Sequence, residues 1–335
     1  MLHYYETWAS AGQNETFNAM LLLVVNFKYI PYQFDIETAF LHGEMDAVVY
    51  VKQVKGYEEK GKESWVWRLK KSLYGKKQAP CMWKSKLTSI LNSLGLTSTR
   101  SDESLFINIE RNLLHNVHVD DGFIISQLEE KIIEFSTKLN SILKLKFKKK
   151  PTQHLGYTLK WSTDKILISQ TDLITRLLQQ FNMDECKSVK TPCNGNFLNE
   201  LESGISDQVL DKTLLQQAIG SINYLAHHTQ PDILFTVNQL SRYSTKPNQC
   251  HWNGLKHLLR YLKGSKDKCL VYTRCTTKDK LTGWEDADYA NINDDHKSIT
   301  GYVILTFGNP VCWLSKKQSV VAQSTTEAEY IAMNI

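Results

Sequence analysis

Asp120 and Asp121 stand side by side between two apolar runs, Leu113 to Val119 and Phe123 to Ser126, and Asp35 lies near the end of a third, Tyr32 to Ile36. If these runs are neighbouring strands of one sheet, three carboxylates meet at one sheet end. Hard oxygen donors of that kind suit Mg²⁺, which usually takes one or two carboxylates plus substrate phosphates and keeps several waters. Two such ions, about 3.5–4 Å apart, would activate an attacking hydroxyl and stabilise the leaving group of an in-line displacement, the chemistry of nucleotidyl transfer. A second reading of the same residues is purely local. Asp and Gly tolerate positive φ, so Asp120-Asp121-Gly122 also serves as the tight turn of a hairpin. Further acids lie near the C-terminus, where Glu285-Asp286-Ala287-Asp288 ends a strand-like run and Ser324-Thr325-Thr326-Glu327 opens a helix-like one. There Ser324 or Thr325 suits the cap, and an acid in the first turn is favoured by the helix dipole.

The elements that must position these residues can be traced along the chain. A helix is expected from Glu15 to Lys28, stopped by Ile30-Pro31, then a strand at Tyr32 to Ile36. Strands are expected at Val48 to Lys52 and Trp65 to Leu69, and a helix from Lys77 to Leu94 ended by Gly95. Strands at Leu105 to Ile109, Leu113 to Val119 and Phe123 to Ser126 follow, then a helix from Leu128 to Leu143. Strands near Phe147, Leu155 to Trp161 and Lys165 to Ser169 complete an α+β block. Helices dominate next, at Thr171 to Phe181, Leu210 to Ala226, Asp232 to Ser244 and His251 to Leu262, with the polar stretch from Lys190 to Asp207 as a linker. Strands return at Cys269 to Arg274, Leu281 to Glu285, Thr300 to Thr306 and Pro310 to Leu314, before a helix near Ser324.

The 335 residues suffice for two domains or one large one. With 42% hydrophobic and 22% charged residues, disordered, collagen-like and coiled-coil classes are excluded. The longest apolar run, Ala19 to Val25, is far shorter than the roughly 20 residues of a membrane span. Seven cysteines without a zinc-spaced cluster fit a reducing, intracellular setting. The net charge of +5 says little as a sum; its placement says more. Lys and Arg crowd the stretch from Lys60 to Lys86, with Trp65, Trp67, Tyr74 and Trp83 interleaved as stacking or core rings. A second run, Lys144, Lys146, Lys148, Lys149 and Lys150, reads equally as a nucleic-acid contact or a solvated face.

Longer phrases carry a resemblance. Phe34-Asp35-Ile36-Glu37-Thr38-Ala39-Phe40-Leu41-His42-Gly43, then Leu69-Lys70-Lys71-Ser72-Leu73-Tyr74-Gly75-Lys76-Lys77-Gln78-Ala79-Pro80 with Trp83, then His118-Val119-Asp120-Asp121 resemble successive motifs of copia-type retrotransposon reverse transcriptases. Leu155-Gly156, Gly220-Ser221-Ile222-Asn223-Tyr224-Leu225-Ala226, Leu240-Ser241-Arg242-Tyr243 and Leu259-Arg260-Tyr261-Leu262-Lys263-Gly264 continue it, from about Tyr5 onward. The resemblance implies an α+β fold: a right-hand polymerase palm with partial fingers over 1–170, a helical thumb or connection region over 171–268, and an incomplete ribonuclease H-like α/β fold over 269–335.

It further implies Asp35, Asp120 and Asp121 as the catalytic, metal-holding triad, with two Mg²⁺ (or Mn²⁺) ions. Phe40 would lie under the incoming sugar, its alternative being a core Phe. Tyr74, Gly75 and Lys77 would pack on nucleotide and template, Leu155 and Gly156 would grip the primer end, and Asp286 and Glu327 would be ribonuclease H metal ligands. The partners implied are an RNA template, a DNA or RNA primer, deoxynucleoside triphosphates, and other Pol or Gag products of the same element, with no membrane. The setting implied is cytoplasmic, in a virus-like particle, or nuclear.

The sequence also departs from the family pattern. His118 replaces the usual Tyr before the Asp pair, Gln230 and Cys81 replace usual arginines, the chain begins after the basic segment that holds the triphosphate, and it stops before the last nuclease aspartates. These departures support an alternative expectation, a catalytically inactive nucleic-acid-binding remnant of a decayed element.

Overall fold

The computed structural model describes residues 9, 12–45, 47–110, 112–202, 211–275, 280–290 and 296–334. By internal contacts the chain divides into two units, Met1–Pro151 and Thr152–Ile335. Helices and sheets are mixed in both, so the fold is α+β. Among the described residues no helix is long and apolar enough to cross a membrane.

The first unit runs α1 (Asn14–Phe27), β1 (Ile30–Ile36), a 3-10 turn (Ala39–His42), β2 (Tyr50–Lys52), β3 (Val66–Arg68), α2 (Ala79–Ser93), β4 (Thr97–Ser98), β5 (Leu105–Asn108), β6 (Leu113–His118), β7 (Asp121–Ser126), α3 (Glu129–Ile142) and β8 (Leu145–Lys149). Six strands form one antiparallel sheet in the order β4-β5-β6-β7-β1-β8, while β2 and β3 form a separate ribbon. Local chemistry sets the helix ends. Pro80 sits in the first turn of α2, where a missing N–H costs nothing, and Gly95 just beyond its end takes φ +86°. One sheet face is sealed by α2 and α3 in a core that includes Phe34, Ile36, Trp83, Leu91, Ile124 and Phe135. Alternate residues point the other way, where Phe123 meets Phe17 of α1 edge to face, 5.0 Å between centroids.

The second unit runs β9 (Gln153–His154), β10 (Tyr157–Trp161), β11 (Lys165–Ser169), α4 (Thr171–Gln180), α5 (Phe197–Glu202), α6 (Lys212–His228), a 3-10 turn (Pro231–Ile233), α7 (Leu234–Ser241), α8 (Gln249–Ser265), β12 (Leu270–Thr273), β13 (Leu281–Asp288), β14 (Ile299–Thr306), β15 (Asn309–Lys317) and α9 (Thr325–Met333). Helices α4 to α8 share one core, with Ile174, Leu177, Ile222, Leu225, Leu258 and Leu259 buried in it. Two sheets accompany them, β12-β11-β10-β9 and β13-β14-β15.

Three expectations change here. The boundary expected at 170 falls inside the second unit, because β11 pairs with β12, from Lys165↔Thr273 to Ile168↔Leu270. That pairing ties residues on both sides of the helical region into one sheet. The stretch expected as a linker contains α5, whose Phe197 and Leu201 are buried against the α8 region; its residues 203–207 lie outside the described ones. The helix expected over Asp232 to Ser244 starts as a 3-10 turn at Pro231 and is α-helical only to Ser241.

Candidate active site

Strand β1 lies between β7 and β8, and in the β1–β7 pair Asp35 stands directly opposite Asp121. The Ile36 N–H donates to Asp120 O at 2.9 Å. That makes Ile36 and Asp120 a hydrogen-bonded pair, so Asp35 and Asp121 form the adjoining non-hydrogen-bonded pair, the kind in which opposed side chains come closest. Like charges placed so repel. On its other side Asp121 pairs with His118 of β6, and beyond β1 Asp35 pairs with Lys146 of β8. One row across four strands therefore reads His118, Asp121, Asp35, Lys146. It lies on the face opposite α2 and α3, since Asp35 alternates with the core residues Phe34 and Ile36.

The three aspartates are all half-buried. Burial pushes the Asp121 carboxyl up from its ordinary range; the charges of Asp120 and Asp35 push the same way, while a hydrogen bond from Gln33 and the charge of His118 draw it down. Gln33 Nε2 donates to Asp121 Oδ1 at 3.3 Å. Among the described residues no group of three or more His, Cys, Asp or Glu is gathered as a ready-made metal cage. The donor set nevertheless fits a hard cation: two carboxylates in register, with a third on the adjoining turn and their mutual repulsion only partly offset by Gln33 and His118. Mg²⁺ needs no more from a protein when substrate phosphates supply the rest.

The hairpin is not built as its residues suggested. His118 pairs with Asp121, so the two-residue turn is Val119-Asp120, and Asp121 and Gly122 already belong to β7. The positive φ falls on Val119, at +58°, a conformation that costs a β-branched residue on the order of 1–3 kcal/mol. Trp83 of α2 holds this turn, its indole Nε1–H donating to Val119 O at 2.7 Å. With 2% of its surface exposed, Trp83 is a core and positioning residue, not a stacking platform. Gly122 is required for a different reason from turn geometry: a Cβ there would lie 2.2 Å from the Phe34 ring and 2.7 Å from His115 Nε2.

Phe40 and Tyr74, far apart in sequence, are brought together with rings in T-shaped contact, centroids 4.7 Å apart. Ser72 ties the loop to the 3-10 turn by donating from Oγ to Phe40 O. Gly75 is exposed at φ +82° and Lys77 is exposed beyond it. A small apolar cavity of about 70 Å³ lies among Phe40, Trp83, Phe106, Val117 and Val119.

The family model described as reverse transcriptase (RNA-dependent DNA polymerase) matches residues 1–195. The chain belongs to the reverse transcriptase family. It is 33% identical to the retrovirus-related Pol polyprotein from transposon TNT 1-94 of Nicotiana tabacum, over 99% of this chain and 26% of that protein. Identity to the corresponding polyprotein from transposon RE2 of Arabidopsis thaliana is 34%, over 98% and 22%. A Ty5-1 transposon protein of Saccharomyces cerevisiae is 31% identical over 89% of this chain and 97% of its own length. These relatives mark the chain as copia-type retrotransposon Pol sequence, spanning about a quarter of the two plant polyproteins. Among solved structures, a foamy viral protease-reverse transcriptase in complex with dsDNA is similar with a TM-score of 0.48 at 12% identity, covering 98% of this chain and 59% of that one.

Within the second unit of this reverse transcriptase chain, Leu155 and Gly156 form the two-residue turn between β9 and β10, both with positive φ, +45° and +76°. Tyr224 of α6 fixes it by donating its hydroxyl to Leu155 O at 2.7 Å. Asp286 sits in β13, opposite Gly301, and lines an open cavity with Asp232, Phe235 and Asp288. Glu327 lies in the first turn of α9. Its N–H donates to Ser324 Oγ at 3.1 Å and its carboxylate accepts from Gln323 N at 2.6 Å, which is a helix cap. The acid that α9 brings to β13 is instead Glu329, hydrogen-bonded to Glu285, whose own carboxyl is pushed up by burial and then by the Glu329 charge. No hydrogen bond joins Asp286 to Glu327.

Sequence reasoning missed Trp83 as the support of the turn, because nothing in an isolated Trp says whether its N–H faces a carbonyl or solvent. It missed Glu329 as well, although the spacing from Glu327 offered the signal: two residues on, that side chain leaves the capping turn for another face of the helix.

Proposed function

We propose that this chain is the polymerising segment of a copia-type Pol polyprotein and adds deoxynucleotides to a primer 3′-OH on an RNA template. The observation that carries the reading is the direct opposition of Asp35 and Asp121 at a sheet end, with Asp120 on the adjoining strained turn. These three would hold Mg²⁺ or Mn²⁺. When bound, such ions neutralise charge developing on the phosphoryl group and lower the pKa of the attacking hydroxyl. The chain's own part is placement. Strand register keeps Asp35 against Asp121, and the Trp83 N–H keeps the Val119-Asp120 turn in its left-handed conformation. Phe40 and Tyr74, with Gly75 and Lys77 beyond, would flank nucleotide and template, and Leu155-Gly156 would hold the primer end. Primer extension on an RNA template with Mg²⁺ or Mn²⁺ tests the reading; extension that survives Asp120→Asn refutes the role given to that residue.

The β13–β15 sheet with α9 is proposed as part of a ribonuclease H-like fold in which Asp286 and Glu327 would hold metal. Strand and helix order support this, although Glu327's present bonds are those of a cap. Cleavage of the RNA strand of a labelled hybrid, abolished by Asp286→Asn, is the expected result.

A second reading, a nucleic-acid-binding segment without catalysis, is favoured by His118. Its imidazole stands opposite Asp121, and its buried Nδ1 has no hydrogen-bond partner, so a ring with one unsatisfied nitrogen occupies the ladder beside the carboxylates. Hybrid binding with steep salt dependence and no extension under either metal would establish it.

A further inference from the structure

The lysine run from Lys144 to Lys150 is divided between two faces by strand β8. Leu145 and Phe147 pack on the core, and Phe147 stacks on Tyr32 with centroids 4.6 Å apart. Lys149 follows them, its Nζ bonded to Glu129 at the head of α3 at 2.5 Å. The period of two then directs Lys146 and Lys148 to the opposite face. Their register partners are Asp35 and Gln33, and Gln33 is the hydrogen-bond donor to Asp121. Lys150 leaves the strand with φ +45°.

We propose that Lys146 and Lys148 form a rail for the backbone phosphates of a primer–template duplex whose strand end lies at the carboxylates. The proposal rests on the nucleic-acid reading given above and deepens it. Three observations carry it. First, β8 is the edge strand of the six-stranded sheet, so nothing in that sheet covers its outer side. Second, the two ammonium groups share a face with Asp35 and Asp121, and an anionic strand approaching those carboxylates needs cations beside them. Third, the ion pair of Lys146 with Glu37, at 3.6 Å, joins two exposed side chains and is worth little. A phosphate can displace it. Lysines on an edge strand have a competing use, which is to keep another β-edge from pairing there.

The two uses separate in a salt titration of binding. Affinity of the full chain for a labelled RNA–DNA hybrid is measured by fluorescence anisotropy across a KCl series, for the unmodified chain and for Lys146→Gln, Lys148→Gln and Lys149→Gln. Each phosphate contact on a B-form duplex contributes about 0.9 to the slope of log K against log salt. Lys146→Gln and Lys148→Gln are expected to lower the slope by about that much each, with Lys149→Gln unchanged because its lysine faces α3. Unchanged slopes in the first two variants overturn the rail, as does an equal loss in Lys149→Gln. Self-association of the double variant K146Q/K148Q with an unaltered slope assigns the lysines to edge protection instead. Absence of salt-dependent hybrid binding by the unmodified chain refutes the underlying nucleic-acid reading and the rail with it. Normal binding with unchanged variant slopes refutes the rail alone.

Discussion

Asp35 and Asp121 are pressed against each other by the register of two central strands, and among the described residues the side-chain hydrogen bond that reaches their carboxylates comes from Gln33. The acids of β13 and α9 are arranged otherwise: Glu327 closes its own helix cap, and Glu329 shares a hydrogen bond with Glu285. The first group is held together against its own repulsion by backbone that cannot relax. In the second group Glu327 is accounted for by its helix cap, and the repulsion between Glu285 and Glu329 is offset in part by the hydrogen bond they share. Acidic residues are common in both places, so composition does not separate them. Separation comes from asking whether each carboxylate's surroundings already account for it.

The largest effect expected from this contrast is on turnover. Asp35→Asn or Asp120→Asn should reduce primer extension on the order of 10³-fold or more, as removal of several kcal/mol of charge stabilisation requires. Glu327→Gln should leave the rate unchanged. In addition, Asp35→Asn should raise the urea midpoint, because it removes an opposed like charge worth about 0.2–1 kcal/mol. Equal losses of rate in Asp35→Asn and Glu327→Gln would erase the distinction between the two groups.

Next in size is an acid-dependent loss of stability in the first unit. Burial holds the His115 imidazole down at about 3, so the folded chain keeps it neutral where the unfolded chain protonates it. Its contribution is full above the ordinary histidine range and is lost as pH falls from about 6.5 toward 3, at about 1.4 kcal/mol per pH unit. His115→Leu should flatten that slope in urea titrations across the window. Asp121 has the opposite sign: its raised carboxyl penalises the fold as pH rises through its titration, so Asp121→Asn should gain stability at pH 7 relative to pH 4.

Two glycines sharpen the comparison further. Gly122→Ala sets a methyl against Phe34 and His115 and should cost about 1–3 kcal/mol or more in urea unfolding. Gly283→Ala in β13 has no atom within 4 Å of the new methyl and should change stability by less than about 0.5 kcal/mol. Trp83→Phe is expected to act on turnover more than on stability. This substitution keeps an aromatic side chain but shrinks a fully buried one and removes the donor to Val119 O, costing about 1 kcal/mol or more. Its kcat should nonetheless fall roughly 10- to 100-fold with KM unchanged, the signature of misplaced catalytic groups rather than weakened binding.

Much of the fold was legible because local patterns agree with the final structure. Apolar alternation marked β1, β6 and β7 to within two residues, and Gly95 marked the end of α2. Helix α5 was not legible: six residues amid polar sequence carry too little periodicity, and Phe197 and Leu201 gain their burial from α8 and its neighbours. Tyr74 and Phe40 were singled out separately, and their ring contact depends on a loop closure that no local rule predicts. The turn was misread because its Asp and Gly looked like turn residues, whereas the positive φ went to Val119 under the hold of Trp83.

The sequence by itself determined which residues carry charge, where most strands and helices start and stop, and, through long ordered phrases, the family. Those are properties of neighbours along the chain, set by side-chain chemistry and backbone preference. The tertiary structure alone decided that Asp121 faces Asp35, that the indole of Trp83 reaches the strained turn, and that the lysine run splits with Lys146 and Lys148 on the carboxylate face. Each of these follows from antiparallel register and from the period of two along a strand. A shift of one residue would turn the same side chains to the opposite face.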